Sequence, residues 1–112
     1  MSEEKKFQEV KKANQLLNQL NASVQDNKAI KKEILTAYTA INKSEKVSQR
    51  YKQIPEAIRN LNWYLRNLAF ANEYHFTKEQ NDIINQLEVM SRSLKDSPIG
   101  IINGVTMGFW CF

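Results

Sequence analysis

The sequence predicts an all-α protein: an antiparallel up-down-up-down four-helix bundle with an apolar C-terminal tail packed over helices 3 and 4. Three observations lead to this prediction. Residues 1–97 contain no glycine and a single proline, Pro55, which favours helices over a turn-rich β fold. Apolar side chains recur at steps of three and four residues in four stretches, as on one face of a helix. A chain of 112 residues with 42% hydrophobic and 25% charged residues has the composition of one globular domain.

Helix 1 is predicted over about residues 3–22, and helix 2 over about residues 27–43. Glu3 and Glu4 open helix 1, where their charges suit the positive end of the helix dipole. The polar run 25–27 predicts the turn between the two helices. Each helix carries one apolar stripe: Phe7, Val10, Ala13, Leu17 and Leu20 in helix 1, and Ile30, Ile34, Ala37, Tyr38 and Ile41 in helix 2. We expect both stripes to face a common core.

A longer connection is predicted between helix 2 and helix 3. Residues 45–53 are mostly polar and contain only Val47 and Tyr51 as apolar anchors. We therefore expect a loop here, with room for one turn of helix. Helix 3 is predicted to begin at about residue 54, because Pro55 suits the first helical turn, where its missing N–H loses no partner.

Helix 3, predicted over about residues 54–73, is apolar on two faces. The core stripe consists of Ile54, Ala57, Ile58, Leu61, Tyr64, Leu65 and Leu68. At about 100° per residue, Trp63, Phe70 and Tyr74 fall on the opposite side. This helix therefore needs a core on one side and a cover on the other.

Helix 4 is predicted over about residues 77–95. Thr77 followed by Gln80 matches a capping box, in which two side chains and two backbone N–H groups bond reciprocally. The apolar stripe consists of Ile83, Leu87, Met90 and Leu94, with Ile84 on its flank. The short link before this helix predicts that helices 3 and 4 pack antiparallel.

The tail, residues 96–112, is the most apolar part of the chain. Residues 97–112 have no charged side chain and contain all three glycines and Pro98. Because a solvated aromatic terminus is prone to aggregation, we expect the tail to fold back over helices 3 and 4. It is either an extra piece of core or an apolar strip that engages a partner or a membrane, and the two roles are compatible. The candidate partner-binding residues are Ile101, Ile102, Phe109, Trp110 and Phe112.

The net charge of +4 is concentrated in the middle of the chain. Residues 28–52 carry seven basic and two acidic side chains, a net charge of +5. Such a stretch can meet nucleic acid or an anionic membrane surface, or it can be an ordinary solvated face. The candidate basic patch consists of Lys43, Lys46, Arg50 and Lys52.

The sequence offers no catalytic, metal or cofactor motif. His75 is the single histidine and has no second ligand at metal-binding spacing, while Cys111 has no neighbouring activator. We therefore expect a protein that is not an enzyme and that binds no cofactor. A lone cysteine indicates a reducing compartment. Neither a signal segment nor a membrane-spanning run is recognisable, so we expect a cytoplasmic protein.

The hairpin 54–94 resembles the class IIa (pediocin-like) bacteriocin immunity proteins of the enterocin A and mundticin type. The resemblance is carried by Ile54-Pro55-Glu56-Ala57-Ile58-Arg59-Asn60-Leu61, Asn62-Trp63-Tyr64-Leu65, Ala69-Phe70-Ala71-Asn72, Phe76-Thr77-Lys78-Glu79-Gln80 and Ile83-Ile84. None of these motifs is catalytic, and their combination carries the resemblance. The tail is more apolar than the ends of several members of that family.

The resemblance implies a cytosolic four-helix bundle that protects a Gram-positive bacteriocin producer, such as a lactic acid bacterium, from its own peptide. The implied partner is the mannose phosphotransferase permease with bound bacteriocin, which the protein would bind from the cytosolic side so that no pore opens. Contact with the inner face of the cell membrane is also expected, and nucleic acid is not. Two alternatives remain: a basic helical nucleic-acid-binding module, and a helical protein-interaction or regulatory bundle. The bacteriocin recognised and the oligomeric state are left open.

Overall fold

The computed structural model describes residues 3–24 and 27–95, which form four α-helices packed against one another. The helices are α1 (Glu3–Ser23), α2 (Lys28–Asn42), α3 (Val47–Phe70) and α4 (Lys78–Lys95). The predicted all-α class is confirmed, and the described residues contain no strand. α1 and α3 each pack against all three other helices, so they form the central pair of the bundle.

The core is built from the apolar stripes that the sequence predicts, with two corrections. All four helices contribute fully buried side chains, among them Leu17, Leu20, Ile30, Ile41, Ile54, Ile58, Leu65 and Leu87. Phe7 was expected to face the core but is about half exposed, because it lies about 120° around the helix from Ala13. Of the two adjacent isoleucines of α4, Ile84 is buried and Ile83 is half-buried at the edge of the core, the reverse of the predicted order.

The predicted start of helix 3 is wrong. α3 begins at Val47 rather than at 54, so most of the predicted loop 45–53 is helical. The physical reason is packing: Val47 and Tyr51 extend the spacing of the core stripe backwards by two turns, and Tyr51 packs against the core. Lys6 of α1 places its Nζ 5.9 Å from the centroid of the Tyr51 ring, which ties this added segment to α1.

Pro55 therefore lies inside α3 instead of in its first turn. A proline within a helix removes the hydrogen bond to the carbonyl four residues earlier, here that of Tyr51, and costs about 3 kcal/mol. The neighbours Ile54 and Ile58 are completely buried, and Ser91 of α4 donates its hydroxyl to the Pro55 carbonyl at 3.1 Å. We attribute the continuity of α3 to these contacts.

α3 ends at Phe70, three residues before the predicted end at 73. Asn72 has a positive φ of 59°, the left-handed conformation that stops many helices. The N–H of Asn72 donates to the Ala69 carbonyl, and the N–H of Glu73 donates to the Leu68 carbonyl at 2.9 Å. This pair of bonds is a Schellman motif, which the asparagine makes at little cost because it tolerates positive φ.

The predicted capping box of helix 4 is present. The Gln80 N–H donates to the Thr77 hydroxyl oxygen at 3.1 Å, and the Thr77 N–H donates to the Gln80 side-chain oxygen at 2.8 Å. The Gln80 amide nitrogen also donates to the carbonyl and hydroxyl oxygens of Ser23. The start of α4 is thereby fastened to the end of α1.

Side-chain bonds join α1 and α2 in the same manner. Asn14 and Asn42 exchange two amide hydrogen bonds of 3.0 and 2.8 Å, and Lys31 donates to the Asn21 carbonyl. Asn27 caps α2 by accepting from the Ile30 N–H at 2.8 Å. These contacts set the start of one helix beside the end of the other. The up-down-up-down order of the whole bundle stays a prediction.

The predicted tail, residues 96–112, lies outside the described residues. Its packing over helices 3 and 4 therefore also stays a prediction, as does the single-domain organisation over residues 1–112.

Candidate functional site

One side of α3 faces away from the core and carries an unusual mixture of aromatic and basic side chains. We define the outer face of α3 as Lys52, Arg59, Trp63 and Phe70. These residues are spaced by seven, four and seven positions, so they share one side of the helix. Lys52 joins this face only because α3 starts at Val47. Sequence reasoning assigned Lys52 to the basic patch but missed its place on this face, because it placed residue 52 in a loop.

The two aromatic side chains of the outer face are open to water. Trp63 is 70% exposed and Phe70 is 91% exposed, so both expectations of an outward position are confirmed. Asn67, between them, donates its amide to the Trp63 carbonyl. Solvent exposure of two large aromatic rings on one helix side is a feature of interaction surfaces.

Tyr74 was expected on the same face and does not lie there. The helix has already ended at Phe70, and the Tyr74 ring packs on Phe76 with centroids 4.6 Å apart. Its hydroxyl lies 3.4 Å from the amide nitrogen of Gln80. Tyr74 is consequently part of the packed link between α3 and α4.

The predicted basic patch is divided by the structure into two kinds of residue. Lys43, Lys46 and Lys52 are exposed at the end of α2 and the start of α3. Arg50 is half-buried and donates its Nε to the Ser44 carbonyl at 2.6 Å, so it holds the connection between the two helices. The patch that faces water therefore contains three of the four predicted cations.

An ion-pair cluster borders the outer face on the side of α4. The Glu88 carboxylate pairs with Arg66 of α3 and, at 2.5 Å, with Arg92 of its own helix. All three side chains are at least partly exposed, and exposed ion pairs contribute at most about 1 kcal/mol each. The cluster adds one net positive charge beside the outer face.

Within residues 3–24 and 27–95, no group of three or more histidine, cysteine, aspartate or glutamate side chains could hold a metal ion. A shallow groove of about 310 Å³ runs between α1 and α4. It is lined by Glu9, Lys12, Asn85, Gln86, Val89, Met90, Ser93 and Leu94.

Tyr51 of α3 is a titratable residue outside this groove. Burial, helped by the Glu9 carboxylate, raises the pKa of the Tyr51 hydroxyl above its ordinary value of 10.0.

The predicted partner-binding residues of the tail lie outside the described residues: Ile101, Ile102, Phe109, Trp110 and Phe112. Among the described helices, none is both long and apolar enough to cross a membrane.

The chain matches a family of known proteins. A family model described as the bacteriocin immunity protein family matches residues 4–91. This range extends from the first turn of α1 to Ser91 near the end of α4 and includes the outer face of α3. Neither the curated proteins nor the solved structures returned a match.

Proposed function

The chain belongs to the bacteriocin immunity protein family, and from this premise we propose that it protects its own cell against a class IIa (pediocin-like) bacteriocin. The family match over residues 4–91 is the observation that carries the proposal. The match favours immunity over the nucleic-acid-binding and regulatory alternatives. It includes the basic stretch 28–52 and the four helices, which are the features that suggested those alternatives.

We propose that protection operates by binding rather than by chemistry. The partner is the mannose phosphotransferase permease occupied by the bacteriocin, and the protein holds it from the cytosolic side so that the pore stays closed. A bundle with a continuous core supplies a rigid scaffold. Exposed aromatic and basic side chains on that scaffold, such as Trp63, Phe70 and Lys52, are the types that dominate binding surfaces.

The tail is proposed to supply a second set of partner contacts. Its candidates are Ile101, Ile102, Phe109, Trp110 and Phe112, which are large apolar side chains without a charge among them. Aromatic residues of this kind anchor interfaces because they bury a large area at a low cost in side-chain entropy.

The test is survival of a sensitive lactic acid bacterium that expresses the chain and is challenged with a panel of pediocin-like bacteriocins. We expect growth in the presence of one or a few panel members, and death with the rest. If cells that express the chain at a verified level are as sensitive to every panel member as cells without it, the proposal is wrong.

The contribution of the tail is tested in the same cells with the double variant Trp110→Ala/Phe112→Ala. We expect loss of protection at an unchanged protein level. The matched control is Leu35→Ala/Val89→Ala, which removes two exposed apolar side chains from α2 and α4. Full protection by a folded tail variant would contradict a binding role for Trp110 and Phe112.

A further inference from the structure

We propose that the outer face of α3, together with the lysines of the α2–α3 connection, docks on an anionic phospholipid membrane surface. This inference goes beyond the proposed function, because it concerns lipid and requires neither bacteriocin nor permease. It rests on three properties of the described residues: alignment, charge and shape.

The alignment comes from the length of α3. Lys52 and Phe70 are 18 residues apart, which is five helical turns, and Trp63 lies on the line between them. The side chains therefore form a row about 27 Å long on one side of a helix. A helix that lies flat on a bilayer presents its residues to the headgroups in such a row.

The charge of this region favours an anionic surface. The outer face, the α2–α3 connection and the bordering ion-pair cluster contain six basic and two acidic side chains. With Glu56, which lies between Lys52 and Arg59 on α3, the net charge of the region is +3. The basic residues are Lys43, Lys46, Lys52, Arg59, Arg66 and Arg92, and the acidic residues are Glu45, Glu56 and Glu88. Basic side chains near a bilayer are attracted by anionic lipids.

Trp63 and Phe70 supply the apolar contacts with the lipid. Tryptophan is enriched at the boundary between headgroups and acyl chains, and phenylalanine and tryptophan are typical of the buried side of interfacial helices. With Trp63 70% exposed and Phe70 91% exposed, both rings can enter this boundary without any rearrangement of the core.

The shape of the surface is one that a flat lipid bilayer can accommodate. The outer face is the convex side of a helix, whereas the groove of about 310 Å³ lies elsewhere, between α1 and α4. A convex row of aromatic and basic side chains suits a soft planar surface, into which the rings can insert. A protein partner would have to supply a matching groove.

The test uses the tryptophan fluorescence of the full chain with lipid vesicles. The chain contains two tryptophans, so the variant Trp110→Phe leaves Trp63 as the single reporter. We expect its emission to shift to shorter wavelength with vesicles of phosphatidylcholine and phosphatidylglycerol, and to stay unchanged with phosphatidylcholine alone. Added salt is expected to reverse the shift, because it screens exposed charges.

Two substitutions with matched controls locate the surface, each made in the Trp110→Phe background. Lys52→Gln is expected to weaken vesicle binding about fivefold, the effect of one basic side chain near an anionic bilayer, and Phe70→Ser is expected to weaken it at least as much. The controls are Lys32→Gln, which makes the same change at an exposed position of α2, and Leu35→Ser, which also replaces an exposed large apolar side chain by serine. Both controls are expected to bind like their parent.

Three results would overturn the inference. One is a Trp63 emission that does not respond to anionic vesicles. Another is an equal effect of the control substitutions, which would indicate non-specific attraction. The third is binding that appears only when residues 99–112 are deleted, because the tail would then be the occupant of this face. The vesicles contain neither permease nor bacteriocin, so failure here leaves the immunity proposal standing, and failure of the immunity assay leaves this one standing.

Discussion

Asn62 is a polar residue in an apolar place. Its side chain is 5% exposed, and neither its amide nitrogen nor its oxygen has a hydrogen-bond partner among the described residues. Burial of an amide without a partner costs about 1–3 kcal/mol in proteins. Asn62 is therefore a point at which α3 gives up stability.

Replacement of Asn62 by leucine, which has a similar size, is expected to raise the free energy of unfolding by about 1–2 kcal/mol. The measurement is urea unfolding followed by far-UV circular dichroism. Asn60→Leu, at an exposed position of the same helix, is the control and is expected to change stability by less than about 0.5 kcal/mol. A loss of stability in Asn62→Leu would show that this amide makes hydrogen bonds in solution.

Gln80 is a buried polar residue of the opposite kind, because its hydrogen bonds are made. It completes the capping box with Thr77 and also donates to two oxygens of Ser23 in α1. One amide thus serves both the start of α4 and the contact between α1 and α4.

Gln80→Ala is expected to lower the free energy of unfolding by about 2–3 kcal/mol, and Thr77→Ala by about 1 kcal/mol. The difference arises because loss of Gln80 also leaves oxygens of Ser23 without their donor. Gln86→Ala, exposed on the same helix, provides the baseline in the same unfolding experiment. Equal effects of the two substitutions would mean that the bonds to Ser23 contribute nothing.

At the scale of single elements, α3 organises the bundle because it packs against every other helix and carries the outer face. The helix runs without a break from Val47 to Phe70 although it contains Pro55 in its interior. A proline in the first turn of a helix is favourable, whereas one in the interior is not. Replacement of Pro55 should therefore destabilise the protein if Pro55 lies in the first turn of the helix, and stabilise it if Pro55 lies in the interior.

Pro55→Ala is expected to raise the free energy of unfolding by about 1–3 kcal/mol, because alanine restores the N–H that can donate to the Tyr51 carbonyl. Thermal and urea unfolding measure the change. Gln53→Ala, exposed two residues earlier, controls for a general gain in helix propensity. Unchanged or reduced stability in Pro55→Ala would place the helix start at 54 and take Lys52 off the outer face.

At the scale of the whole molecule, the four described helices share one apolar core. The buried apolar residues form one cluster to which α1, α2, α3 and α4 all contribute. The proposed roles in immunity and in lipid binding both depend on surfaces outside this cluster. Fold and function should therefore be separable by truncation.

Deletion of residues 99–112 is expected to leave the helical circular dichroism signal and a cooperative urea transition. The reason is that the hydrophobic cluster of α1–α4 is retained entirely. The same truncated chain is expected to lose protection in the survival assay. If unfolding becomes non-cooperative, the tail is part of the core, and loss of protection would then report only loss of the fold.

Local patterns in the chain were sufficient for the fold class, the four helices and most of the core. Periodic apolar residues define the buried side of a helix wherever it packs, and the Thr77–Gln80 capping box is complete within four residues. The outward direction of Trp63 and Phe70 follows from the same periodicity. The resemblance at the hairpin 54–94 likewise led to the family that matches residues 4–91.

Contacts between distant parts of the chain determined the remaining features. The sequence of residues 47–53 predicts a polar loop, but in the structure Tyr51 packs on the core beside Lys6 and the segment is helical. Because the segment is helical, Lys52 lies in line with Trp63 and Phe70. Tyr74 does not lie on the outer face of α3, because the helix ends before Asn72 and the Tyr74 ring packs against Phe76. A propensity for helix is a sum over neighbours in sequence and amounts to fractions of a kcal/mol per residue. The burial of one large side chain contributes more than that, and what it is buried against is known only once the helices are assembled.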